Sequence, residues 1–207
     1  FLVKGNLKNI ENTIPQEILS ILFKNNTFKE VVLSSNNDFS FNVSEKLAIS
    51  ELEINSKISL KKANSKYFNE NIKKYLPNFD DNLRLIDHNI NINYNNNIKI
   101  DGLGEFQIGE EKNKVKYNFD FIGKKVNYSL NIDLKETPIK IDIINFIKKK
   151  SVKAQLKVEG EKKNKKNLIK KISFNTNKSN ITLDNLELSN KYKILNIDKI
   201  RLNYFDN

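Results

Sequence analysis

At 207 residues the chain fits one large domain, and its 36 Lys and Arg against 25 Asp and Glu leave a net charge of +11. It has no Cys, which excludes disulfides and thiolate metal sites. No run approaches the ~20 apolar residues of a membrane span, and Lys4, Asn6 and Lys8 break any signal-peptide shape.

A basic chain raises the question of nucleic acid. Here the positive charge is almost all Lys, with Arg84 and Arg201 the only arginines. Arg is the residue that clamps phosphates and reads bases with two prongs. Lys99, Lys116, Lys153 and Lys157 are spread along the polar faces of strand-like stretches, where Lys commonly guards sheet edges. Nucleic acid is therefore not the expected partner, and a basic nucleic-acid-binding module ranks last among the functional readings.

Taken in order, Phe1, Val3 and Leu7 suggest a strand. Thr13 is a suitable N-cap, Pro15 and Glu17 suit a first turn, and Ile14, Ile18, Ile21 and Leu22 repeat at helical spacing. A short helix is expected over residues 14–24. The period then returns to two: Val31 and Leu33, a turn over Ser34 to Asn37, then Phe39, Phe41 and Val43. Leu47 and Ile49 lie on one parity and Leu52, Ile54, Ile58 and Leu60 on the other, which predicts a bulge near Ser50 and Glu51. Ala63 to Leu76 reads as a second helix, centred on 66–76 and stopped by Pro77.

The stretch from Asn82 to Leu134 is a series of hairpins. Ile90, Ile92 and Tyr94 alternate with Asn; Asn95 to Asn97 turn; Ile98, Ile100, Phe106 and Ile108 resume. A turn over Gly109 to Asn113 leads to Val115, Tyr117, Phe119 and Phe121. Gly123 to Lys125 turn the chain into Val126, Tyr128, Leu130, Ile132 and Leu134. Strict alternation between Asn and Gly turns is the mark of half-buried antiparallel strands, each with one greasy face. Past Pro138, residues 139–147 fit strand or helix equally. Val152 to Val158, a charged turn over Glu161 to Lys166, a hairpin around Asn175 to Asn180, and short strands to Tyr204 complete the pattern.

No catalytic constellation interrupts it. His88, the only histidine, reads as a surface residue on a strand edge. Gly102 and Gly104 sit inside a strand, where Gly marks a bend or bulge, without the strand–turn–helix setting of a phosphate loop. Asp80, Asp81 and Asp87 are too scattered for a Ca²⁺ loop. No catalytic residue, metal or cofactor is expected. The function must come from the apolar strand faces. Either a β-sandwich closes them into core, or one long curved sheet leaves an open groove suited to acyl chains.

Several stretches together resemble a known family: Val3 to Leu7, Ile14 to Leu19, Phe39 to Phe41, Ile49 to Leu60, Tyr75 to Phe79, Ile98 to Gly104, and Ile181 to Leu188 followed by Tyr192 to Ile194. The chain resembles the central region of AsmA-like envelope proteins of Gram-negative bacteria, of the YhdP and TamB type. That resemblance implies a long, open-grooved β-sheet, on which the two short helices would dock, carrying phospholipid acyl chains across the periplasm toward the outer membrane. It implies no enzymatic activity, and an inner-membrane anchor outside this segment. The absence of Met and the strand-like patterns at both ends agree with an internal piece of a longer protein. The expected groove lining is Ile98, Ile100, Phe106, Ile108, Val115, Tyr117, Phe119, Phe121, Val126, Tyr128, Leu130, Ile132 and Leu134. The alternative is a structural or adhesive β-repeat segment of a cell-surface protein, with its apolar faces fully closed.

Overall fold

The computed structural model describes residues 1–13, 28–66, 75–77, 82–142, 145–164, 166–189 and 193–203. The helix expected at 14–24 lies outside them. Most of the helix expected at 66–76 does too, but its leading residues contradict it: Ala63 to Lys66 are strand, paired with Leu85 to Asn82. Among the described residues there is no α-helix.

What the alternation builds is a single eleven-stranded sheet. β1 (Leu2–Thr13), β2 (Phe28–Val43), β3 (Ile49–Lys66), β4 (Asn82–Asn95), β5 (Asn97–Ile108), β6 (Glu111–Ile122) and β7 (Lys125–Asp133) lie side by side in chain order. β8 (Ile139–Ile141) and β9 (Phe146–Lys148) leave the sheet as a small hairpin of their own. β10 (Ala154–Lys163) then returns to pair with β7, and β11 (Lys166–Thr176), β12 (Asn180–Leu188) and β13 (Ile194–Asn203) extend the sheet. Every pairing is antiparallel. β1 and β13 form the two edges and do not meet, so the sheet is not a barrel. No second large sheet packs on it among the described residues, which sets the sandwich aside.

Of the expected turns, one is absent and two are shorter than expected. Ser34 to Asn37 continue β2, because β3 supplies a partner for each of them, from Ser59 to Ser56. Tertiary pairing here overrides a turn-like local sequence. The turn expected over Gly109 to Asn113 shrinks to Gly109 and Glu110, with Ile108 already opposite Glu111. Gly109 has a φ of 60°, the left-handed conformation a two-residue connection requires. Likewise the charged turn at Glu161 to Lys166 is mostly strand, Lys163 facing Lys166. The stretch around 139–147, open from sequence, supplies the β8–β9 hairpin.

The bulge near Ser50 and Glu51 is present: Ser40 faces Glu53 while Asn42 faces Ser50, and Glu51 has a φ of 53°. A second bulge carries more consequence. On β4, Ile86 faces Glu105 and Asn89 faces Leu103, so Asp87 and His88 together oppose Gly104. Asp87 absorbs the extra residue at a φ of 50°, tolerable for Asp.

Register places the apolar side chains in rows across the sheet. One row runs Gly104, Val115, Ile132, Leu156, Phe174, Ile181 from β5 to β12. The next runs Gly102, Tyr117, Leu130, Val158, Ile172, Leu183. At one end of these rows the β8–β9 hairpin lies on the sheet. Its Ile139 and Phe146 join Leu134, Ala154, Phe174 and Ile181 in the main buried cluster. Phe146 meets Phe174 edge to face at 5.6 Å, a favoured aromatic geometry. A smaller cluster of Val31, Leu60 and Ala63 binds β2 to β3.

Candidate functional site: an apolar trough

The rows do not end in core. Beyond the hairpin they line one continuous hollow of about 730 Å³. β4 contributes Leu83, Leu85 and His88; β5 and β6 contribute Phe106, Ile108, Val115, Tyr117 and Phe119. Leu130, Ile132 and Leu134 follow, then Leu156, Ile172, Phe174, Ile181 and Leu183 from β10 to β12. Thr137, Ile139 and Ile141, with Tyr75 and Leu76, supply the rest. β4 and β12 are six strand spacings apart, roughly 29 Å in a flat sheet at ~4.8 Å per spacing. One hollow lined by both requires the sheet to curl about it. The volume falls in the ~300–1,000 Å³ range of ligand pockets.

Of the expected lining, the structure places Phe106, Ile108, Val115, Tyr117, Phe119, Leu130, Ile132 and Leu134 in this trough. Ile98, Ile100, Phe121, Val126 and Tyr128 share its face: Ile98 faces Phe121, which faces Val126, and Ile100 faces Phe119, which faces Tyr128. They lie toward the β4–β5 and β6–β7 turns, outside the hollow. Tyr128 turns across Gly160 and donates its hydroxyl to Asn167 Oδ1 at 2.9 Å. Sequence reasoning missed the contributions of β4 and β10 to β12. Their alternation was visible, but not that β7 and β10 pair across the inserted hairpin.

Two of its expectations change at the trough floor. His88 is not on the surface; it is 1% exposed. At Gly104 the expected bulge is present on the facing strand, and both Gly102 and Gly104 also serve as slots. A methyl group at Gly104 would overlap the His88 ring, and one at Gly102 would overlap the Tyr117 ring. Glycine is needed where a neighbouring ring lies directly on the backbone. From there a file of rings descends the sheet: His88 to Tyr117 at 5.8 Å, Tyr117 to Phe119 at 6.0 Å, Phe119 to Phe121 at 6.4 Å.

The hairpin end is tied down by polar groups. Lys148 is 2% exposed, and its ammonium donates to the carbonyls of Thr137 at 2.7 Å, Lys135 at 3.0 Å and Lys149 at 3.3 Å. Burial pulls the Lys148 ammonium below its ordinary pKa, with Glu136, Asp133 and Glu111 opposing that shift. Asn113 donates to Thr137 Oγ1 at 2.7 Å. The buried Glu111 carboxylate takes a bond from Lys150 at 3.0 Å, which holds the Lys150 ammonium above its ordinary value. The Lys140 amide reaches the Tyr75 carbonyl at 3.0 Å. These bonds hold the hairpin over one end of the sheet; among the described residues nothing comparable lies over the other.

A second hollow of about 240 Å³ lies over β2, β3 and β4, lined by Ser34, Asn36, Lys57, Ser59, Asn89 and neighbours. Its mixed polar lining is unlike the trough's. Among the described residues no cluster of three or more His, Cys, Asp or Glu could hold a metal ion. Comparison with protein families, with curated proteins and with solved structures found no match to this chain.

Proposed function

We propose that this chain is a lipid-carrying segment of a bridge-like transfer protein, acting without enzymatic chemistry between the inner and outer membranes of a bacterial envelope. The trough holds phospholipid acyl chains while head groups stay in water along its open side. The observation that carries this reading is the continuous hollow from β4 to β12, lined almost entirely by aliphatic and aromatic side chains. Each methylene moved from water into such a surface gains roughly 0.8 kcal/mol, whatever the lipid's head group. A carrier of bulk phospholipid needs a grip that does not depend on the head group. The periplasmic setting and an inner-membrane anchor in a neighbouring segment belong to the same proposal and rest on the family resemblance.

The test is uptake by the purified chain of a phospholipid with a fluorescent acyl chain. The expected result is saturable binding, displaced by unlabelled phospholipid and insensitive to salt. Absence of binding by the folded chain would return the trough to a merely structural role, as in an adhesive β-repeat.

A further inference from the structure

In the largely hydrocarbon lining of the trough, His88 and Tyr117 form a hydrogen-bonded polar pair. His88 Nε2 lies 2.9 Å from the backbone carbonyl of Glu105. A carbonyl can only accept, so Nε2 carries the hydrogen. With the ring neutral, Nδ1 then presents a lone pair, and the Tyr117 hydroxyl 3.2 Å away must donate to it. The Asp87 bulge and the slot at Gly104 fix the imidazole in this position. Burial, with the Asp101 charge adding to it, keeps the Tyr117 phenol above its ordinary pKa, so its proton stays in place for His88.

The donor is thereby spent. What Tyr117 still offers is the lone pairs of its oxygen, which accept and cannot donate. We propose that Tyr117, oriented by His88, selects within the trough for a lipid chain bearing a hydroxyl along its length. A ketone, ester or carboxylate oxygen is an acceptor and finds no donor there. A head-group hydroxyl is a poorer match, because Val115, Phe119 and Leu130 surround Tyr117 with apolar side chains that also line the hollow. A head group would have to enter hydrocarbon to reach it, whereas a hydroxyl on the chain arrives there with the chain.

This inference rests on the trough binding acyl chains, and the experiment separates the two. The folded chain is titrated with stearic acid, a mid-chain hydroxystearic acid and the matching mid-chain ketostearic acid. All three share one carboxylate, so differences report the chain alone. The hydroxy acid is expected to bind about three- to ten-fold tighter than stearic acid, the yield of one net hydrogen bond, and the keto acid no tighter than stearic acid. Tyr117→Phe should abolish the hydroxyl preference, so that the hydroxy acid and stearic acid bind it alike. The wild-type comparison decides the matter even if that variant does not fold. Equal binding of hydroxy and plain acids overturns the inference but not the trough. Preference for the keto acid overturns the assigned donor direction. Failure of all three to bind overturns the acyl-chain reading and this inference with it.

Discussion

Phe174 and Phe119 both project from interior strands onto the same face of one sheet. Phe174 is 7% exposed because Phe146 of the hairpin lies edge to face against it. Phe119 is only half-buried, and the rings beside it, Tyr117 and Phe121, stand on its own strand. The alternation that produces them is identical. What differs is a hairpin of three-residue strands, held in place by Lys148 and its carbonyls. Core and trough are therefore one surface, distinguished by what covers it.

The sharpest way to break that comparison is to place a carboxylate in each region. Ile181→Asp puts an unpaired charge into the buried cluster and should abolish cooperative unfolding. Phe119→Asp should keep the fold, since its carboxylate can reach water, while phospholipid uptake falls at least ten-fold. Circular dichroism melts beside the uptake assay check both. Equal collapse of the two variants would make the trough ordinary core.

Truncation refines the contrast. Phe174→Ala should cost about 3–5 kcal/mol in denaturant unfolding, the range for a fully packed core Phe. Phe121→Ala, half-buried on the same face but outside both hairpin and hollow, should cost less, about 1–2 kcal/mol, because part of its ring already faces water.

A smaller effect tests the glycine slots. Gly104→Ala must displace the His88 ring, which two hydrogen bonds hold in place. A cost of about 1–3 kcal/mol is expected, as for overpacking elsewhere. A neutral outcome would show that the imidazole moves freely.

The smallest effect concerns the end of the sheet away from the hairpin. Glu161 accepts bonds from Lys170 at 2.8 Å and Lys125 at 3.0 Å, which hold its carboxyl below the ordinary value of 4.5. A carboxyl depressed by folding stabilises above its unfolded pKa and loses that contribution as pH falls through the lower folded one. Wild type should therefore lose slightly more stability than Glu161→Gln between neutral pH and pH about 3, and the two should respond alike to alkali.

Much of this was legible in the residues. Asn96, Gly109 and Gly123 sit at tight connections where the alternation stops and restarts. The rows from β5 to β7 followed from period and turn positions alone. Other features depend on partners distant in sequence. The polar run Ser34 to Asn37 reads as a turn until β3 is laid beside it. His88 reads as a surface residue until the bulge turns it onto Gly104. The trough's far wall stayed hidden because residues 134–153, which carry the hairpin, separate β7 from β10, and alternation within a strand does not say which strand comes next.

The most direct test of the central claim is site-specific photo-crosslinking to phospholipid. A benzophenone side chain is placed at Phe119, on the trough, and at Lys116, exposed on the opposite face of the same strand. A strong phospholipid adduct is expected from position 119 and none from position 116. A folded protein that labels equally at both positions, or at neither, would contradict it.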